Sequence, residues 1–240
     1  MTSKLHAVLV TYRRGPQLRD YLTALAAQQR QLDTLLVVDN DPDESARWTL
    51  DAPELSAVSV DYLATGDNVG PAGGIARGMQ AVLPRASDDD WLITLDDDDP
   101  PRTPELLGEL ERFGNDLRAS DPTVGLVGLV GGRFDEERGR FVPTADDDLH
   151  GPVASSWIGG NNLPFYSVRA VREVGVFDER LFINMEELDY GLRLLDHGFT
   201  IWAHGDLWRR EREHHDRIGI DRAPAAPGAA AQLGGDLLHG

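Results

Sequence analysis

Short apolar runs that end abruptly in polar residues, each followed by a segment with helical spacing, constrain this chain more than any other feature. Leu5–Thr11 (LHAVLVT) gives way to Tyr12-Arg13-Arg14-Gly15, and residues 16–29 then carry Leu18, Leu22 and Leu25 on one helical face. A second run, residues 35–38, stops at Asp39-Asn40-Asp41-Pro42. A third, residues 58–63, precedes a turn opened by Asn68-Val69-Gly70. Pro71 suits a first helical position there, and Ile75, Met79 and Val82 form the stripe of the next helix. Residues 91–95 are a fourth run, ending in Asp96-Asp97-Asp98-Asp99-Pro100-Pro101. Residues 103–113 read as helix and residues 124–130 as strand. Runs this apolar are strands covered on both faces, so the alternation predicts an α/β fold with a mostly parallel central sheet flanked by helices. Ligands of such sheets bind beyond the carboxyl ends of the strands. That rule gathers Thr11, Asp39 and the Asp96–Asp99 run on one edge.

The second half reads differently. Residues 131–151 are polar and rich in Gly and Asp, which suits a hairpin or loop excursion, and Gly159-Gly160-Asn161-Asn162 is a turn. Residues 168–174 suit a short helix and residues 181–183 a short strand. Residues 184–197 predict a strong helix, with Leu188, Leu192 and Leu195 in phase and Gly198 as its stop. Residues 199–203 suit a final strand. From residue 223 the chain is Ala/Pro/Gly-rich, which reads as a mobile tail, so a single domain is expected over residues 1–222. Residues 1–100 and 101–222 would form its two halves.

Composition narrows the partners. The 240 residues hold 23 Lys+Arg against 41 Asp+Glu, a net charge of −18, which argues against nucleic acid. No Cys is present, so disulfides, zinc–thiolate sites and thiol nucleophiles are excluded. The apolar run after Met1 is too short for a signal peptide or a membrane span, and a cytoplasmic location is expected. Lys4 is the only lysine, so the GxxxxGK[ST] phosphate loop is absent, and no GxGxxG follows the first strand.

Three constellations carry chemistry. Four adjacent carboxylates after a buried strand repel one another, and a hard divalent cation relieves that repulsion. In an Asp-x-Asp spacing, Asp96 and Asp98 can face one metal-diphosphate unit. Asp88–Asp90 and Asp146–Asp148 follow no apolar strand and read as solvated coat. Glu186 and Glu187 begin the helix of residues 184–197, where the helix dipole favours negative charge and an exposed carboxylate can serve as a general base. The same spacing, Asn184-x-x-Glu187, also suits a capping box, and Asp189 with Arg193 an i,i+4 ion pair. Finally, His204, His214 or His215 could add a nitrogen ligand that favours Mn²⁺ over Mg²⁺. Arg209, Arg210 and Arg212 make this the most basic stretch. With Trp202 and Trp208 they suggest either a peripheral membrane patch or ordinary packing of a last strand.

Taken together, VLVTYRR (8–14), LLVVDND (35–41), NVGPAGGIARGM (68–79), WLITLDDDDPP (91–101) and GVFDERLFINMEELDYGLRLLDHGF (175–199) resemble, in this order, family 2 of the inverting nucleotide-sugar glycosyltransferases. The last segment looks most like bacterial galactofuranosyl- and rhamnosyl-transferases. The resemblance implies the A-type fold and a set of roles. Thr11 and Asp39 would hold the nucleobase, and Arg13 would lie near the diphosphate. Asn68 and Gly70 would lie beside base and ribose, and Gly73 and Gly74 where the donor sugar approaches the backbone. Asp96 and Asp97 would face the nucleotide, and Asp98 would bind the metal, with Asp96 and His214 as further ligands and His215 and His204 as substitutes. Trp157, Gly160, Asn161 and Glu186 would line the acceptor cleft, and Glu187 would be the catalytic base. The family usually has Asp at the position of Glu187.

The expectation is therefore a glycosyltransferase using Mn²⁺ or Mg²⁺. It would move a sugar with inversion from a UDP- or dTDP-sugar to an acceptor hydroxyl, lipid-linked or on a small aglycone, in cell-wall, polysaccharide or natural-product glycoside assembly. A nucleotidyltransferase would want a Gly/Lys-rich loop where Thr11–Gly15 stands. A nucleotide-sugar-binding protein without catalysis is the reading that Glu at position 187 supports. A calcium module would need a spaced ligand loop with a turn Gly.

Overall fold

The structure, a computed structural model, describes residues 3–214. Its first part alternates as the apolar runs require: β1 (Leu5–Thr11), α1 (Gly15–Ala26), β2 (Thr34–Asp39), β3 (Ser59–Ala64), α2 (Gly70–Val82) and β4 (Trp91–Asp96). Next come α3 (Leu106–Ser120), β5 (Val124–Gly128), β6 (Gly131–Asp135), β7 (Arg140–Val142), β8 (Pro152–Ala154), β9 (Trp157–Ile158) and β10 (Phe165–Ser167). The described chain closes with α4 (Val168–Val174), α5 (Glu186–Asp196), β11 (Thr200–His204) and α6 (Gly205–His214).

Eight strands form one sheet in the order β3-β2-β1-β4-β10-β5-β11-β8, and β7-β6-β9 form a second, small one. Neighbours from β3 to β4 are parallel, as are β5 and β11, while β10 and β8 run against their neighbours. All seven residues of β1 are buried, and the period of two sends them to two cores. Leu5, Ala7 and Leu9 join Leu35, Val37, Leu22 of α1 and Leu110 of α3 on one face. Val8, Val10, Leu36 and Val38 join α2 and α5 on the other. Helix α2 comes very close to β1. A Cβ on Gly74 would meet Val10 at 2.6 Å, and one on Gly78 would run into Val8.

The second half departs from the sequence expectations where short elements meet long-range contacts. Residues 124–130 are not one strand, because the chain leaves β5 after Gly128 and enters the hairpin β6–β7. Strand β10 was hidden in only three residues, and pairing on both sides between β4 and β5 makes it a strand. Residues 181–183 form no strand. A 3₁₀ turn (Glu179–Leu181) leads into Phe182, Asn184 and Met185, with φ of 57°, 75° and 65°. The Phe182 carbonyl accepts the Ala72 N–H at 3.1 Å, satisfying a backbone donor at the start of α2, so this segment is held by α2 rather than by a sheet. Helix α5 begins at Glu186, two residues later than expected, and Gly198 (φ 81°) ends it as expected. Residue Asn184 therefore caps nothing, and the capping-box reading falls.

Two surface readings also change. Asp90 is no part of a solvated coat. It is buried, accepts the N–H groups of Lys4 (2.8 Å) and Ser87 (2.7 Å), and bonds His6 Nε2 at 3.1 Å. Trp208 is buried in the core, and Arg210 and Arg212 are paired with Glu109 and Asp146, so Trp208 packs as an ordinary core residue. No helix among the described residues is long and apolar enough to cross a membrane. Residue His215 and the 223–240 tail lie outside the described residues.

Candidate active site

Parallel register builds the site edge. Thr11 pairs with Asp39, and Val10 with Asp96, so the ends of β2, β1 and β4 are level with one another. Their polar side chains are tied together. Thr11 Oγ1 donates to Asp97 Oδ2 at 2.7 Å, and Arg14 Nε donates to Asp97 Oδ1 at 3.1 Å. Burial raises the pKa of Asp97, and Thr11 and Arg14 counter it. Arg14 also reaches Asp98 Oδ2 at 3.1 Å. Sequence reading singled out Arg13, yet Arg14 is the guanidinium that joins the β1–α1 turn to the acidic run. Arg13 (φ 56°) turns to Asp41 at 3.2 Å. The only signal for Arg14 was its adjacency, because direction after a turn is not encoded in spacing.

Asp39 is fully buried and satisfied from within. Its carboxylate accepts the N–H groups of Asp41 (2.9 Å) and Ala46 (2.7 Å) and the Tyr62 hydroxyl (2.9 Å). It shapes the turn after β2. Asn68 Oδ1 accepts the Gly70 N–H at 3.0 Å, and Asn40 Nδ2 donates to the Gly70 carbonyl at 2.9 Å, which fixes the start of α2. Gly70 has φ 71°, and a Cβ there would strike the Phe182 carbonyl, so only glycine fits. Gly73 and Gly74 are both buried, and their missing side chains make room for Val69 and Val10.

The other wall comes from α5 and the turn at Gly160. Gly191 of α5 sits against the Ser156 carbonyl, where a side chain would collide, so α5 lies close on the segment leading into β9. That closeness brings Glu187 to the end of β4. The Gly160 N–H donates to Glu187 Oε1 at 3.1 Å. A Cβ on Gly160 would lie 2.7 Å from Asp96 Oδ2 and 3.0 Å from Glu187 Oε1, so the backbone of Gly160 is lodged between the two carboxylates. Burial, then Glu187 and the neighbouring Asp98 and Asp97, push the Asp96 carboxyl up to about 7. Glu186 is 5% exposed, Oε2 has no protein partner, and burial followed by Glu187 raises its pKa against the pull of the helix N-terminus. Trp157 and Phe141 pack edge to face, 5.9 Å between ring centres. They line a cleft of about 280 Å³ with Ile183, Met185, Glu186 and Glu187. Asn161 is exposed beside the turn and bonds Asn162. The Asp189–Arg193 ion pair forms as expected, at 2.9 Å.

The cation ligands are only partly assembled. Asp96 and Asp98 share the acidic edge, but no three His, Asp or Glu side chains among the described residues converge as a cage. His204 is corrected as a ligand. Its ring lies on Phe113 (4.5 Å between centres), its Nδ1 accepts the Leu207 N–H at 3.4 Å, and burial lowers its pKa. His214 ends α6, and its side chain falls outside what the structure describes.

An α/β sheet whose parallel strands end in a pinned acidic run, with a carboxylate of a helix start brought beside it at Gly160, has the A-type glycosyltransferase architecture. Two solved glycosyltransferases have this fold. A mannosyltransferase from Pyrobaculum calidifontis, in complex with GDP-Man and Mn²⁺, superposes with a TM-score of 0.58 at 16% identity over 85% of this chain and 57% of its own. GalNAc-T7, crystallised with UDP, GalNAc and Mn²⁺, gives 0.64 at 14% identity over 85% of this chain and 43% of its own. The chain belongs to glycosyl transferase family 2, whose family model matches residues 7–139. Galactofuranosyltransferase GlfT1 of Mycolicibacterium smegmatis is 31% identical over 82% of this chain, and GlfT1 of Mycobacterium tuberculosis is 32% identical over the same share. An N-acetylglucosaminyl-diphospho-decaprenol L-rhamnosyltransferase of Mycobacterium tuberculosis is 28% identical over 96%. The chain spans about two thirds of the length of the two galactofuranosyltransferases and 82% of the rhamnosyltransferase.

Proposed function

We propose that this chain transfers a sugar, with inversion, from a nucleoside-diphosphate sugar to an acceptor hydroxyl, with Glu187 as the base. The observation that carries the reading is the Gly160 N–H bond to Glu187 Oε1, which fixes the carboxylate at the cleft and leaves Oε2 to take a proton. The acceptor oxygen loses its proton to Glu187 and bonds to the anomeric carbon. The anomeric carbon–oxygen bond to the diphosphate breaks, and its electron pair leaves with the nucleoside diphosphate. Attack from the side opposite the leaving group inverts the centre.

A divalent cation fits the edge, because Glu187 Oε1 and Asp96 Oδ2 crowd together at Gly160, and Arg14 bonds Asp97 and Asp98 but not Asp96. Asp96 and Asp98 would hold it with oxygen atoms, which suits Mg²⁺ or Mn²⁺, and it would neutralise charge on the departing diphosphate. Arg14 would share that task once released from Asp98. Thr11, Asp97 and the Asn68–Gly70 turn form the floor beneath the nucleotide. The donor would be a UDP- or dTDP-sugar; the relatives' names give galactofuranosyl and L-rhamnosyl as the sugars they transfer, and one of them names a diphospho-decaprenol-linked acceptor.

The test is a thermal-shift series of nucleoside diphosphates with Mn²⁺, followed by release of free nucleoside diphosphate from the stabilising donor. A melting shift from one nucleotide and slow, metal-dependent donor hydrolysis are expected. No shift from any nucleotide overturns the reading. Binding without hydrolysis or transfer leaves a nucleotide-sugar-binding protein.

A further inference from the structure

The cleft beside Glu187 has a wall of a second chemistry. Phe141, Ile183 and Met185 line it and are 50%, 54% and 56% exposed. Among the described residues only these three large apolar side chains are at least half exposed, and all three share this cleft, with Phe182 next in sequence. Exposed apolar side chains gathered at one concave place mark a binding surface. The charge of the same cleft is one-sided. Its described lining includes Glu186 and Glu187 and no Lys, Arg or His. An anionic group seated there would meet two carboxylates with no basic side chain of the described lining to offset them. Glu186 Oε2, buried and without a protein partner, offers a hydrogen-bond acceptor to a hydroxyl.

We propose that this cleft takes an acceptor in which an uncharged hydrocarbon or aryl group lies close to the reacting hydroxyl, packed on Phe141, Ile183 and Met185, with no anionic group inside the cleft. The inference rests on the reading of Glu187 as the base of a sugar transfer and names the substrate class of that site. An alkyl chain and an aromatic ring present the same chemistry to this wall. A diphosphate directly beside the acceptor hydroxyl is disfavoured.

The experiment measures binding to the full chain by saturation-transfer NMR and competition, with UDP and Mg²⁺ present and again without them. The probes are n-octyl β-D-galactopyranoside, phenyl β-D-galactopyranoside and galactose 1-phosphate. Both neutral galactosides should bind at least about tenfold more tightly than the phosphate. Tighter octyl binding assigns a lipid chain, and tighter phenyl binding an aryl aglycone. The Ile183→Ser/Met185→Ser double variant, and separately Phe141→Ser on the hairpin, should weaken the galactosides at least about fivefold with an unchanged far-UV spectrum. Equal or tighter binding of galactose 1-phosphate overturns the proposal, as does no binding of either galactoside or no effect of both variants. Binding to phosphatidylcholine vesicles that these variants abolish, without galactoside binding, overturns it in favour of a membrane surface. The nucleotide melting series tests the parent reading separately, so a nucleotide response without galactoside binding defeats this inference alone.

Discussion

The two sides of the candidate site are built on opposite terms. On the β1–β2–β4 side the groups that shape the strand ends are answered from within, Asp39 by two N–H groups and Tyr62, Asp97 by Thr11 and Arg14, and the Gly70 carbonyl by Asn40, while Asn40 Oδ1 and Thr94 Oγ1 are buried without a protein partner. On the α5 side Glu186 Oε2 is orphaned, large apolar side chains face outward, and Phe182, Asn184 and Met185 have positive φ. A wall already satisfied is rigid and holds one shape, which suits the invariant part of a substrate. A wall with unanswered groups is completed by what binds it. The contrast fits the proposal that the nucleotide binds at the first side and the acceptor at the second.

The largest expected effect falls on the α5 wall. Glu187→Gln should lower turnover about a hundred- to ten-thousand-fold while donor affinity, by calorimetry with Mn²⁺, stays near wild type. Preserved turnover ends the base assignment. Gly160→Ala is next. The new methyl must displace Asp96 or Glu187, and turnover should fall about a hundredfold with the fold intact by circular dichroism.

On the rigid side the expected loss is stability. Gly78→Val drives a side chain into Val8 between α2 and β1 and should cost about 1–3 kcal/mol in urea unfolding. If that variant unfolds like wild type, the close packing of α2 carries no weight in positioning the first wall. Arg14→Met should weaken donor binding about tenfold, read by calorimetry, while leaving acceptor binding unchanged.

The smallest effect sits where the walls meet. Asp96 has a folded pKa of about 7 against an ordinary 3.8, so the folded state binds more protons than the unfolded one between those values. Metal-free stability should therefore fall as pH rises from about 4 to about 7, by about 1 kcal/mol once water screens the cluster. Asp96→Asn should flatten that slope, and a rise in stability over the same window would contradict the crowding of carboxylates.

How much of this was legible in the sequence follows the same division. Leu5–Thr11 and residues 35–38 and 91–95 were visible as strands because two-sided burial writes continuous apolar runs, and the ends of parallel strands share an edge by topology alone. That determined the fold class and the acidic edge. The glycines of α2 were visible too, but not their purpose: Gly74 reads as a sugar contact from the motif and as a Val10 contact in space. β10, three residues long, owes its existence to its partners on both sides. The facing of Glu187 and Asp96 across Gly160 joins residues far apart in the chain, through a helix that approaches only because Gly191 has no side chain. Sequence fixed by local periodicity which residues could be strand, helix or acid. Only tertiary packing decided which carboxylates would be satisfied and which left facing the cleft, because the partners that satisfy a buried charge come from distant segments.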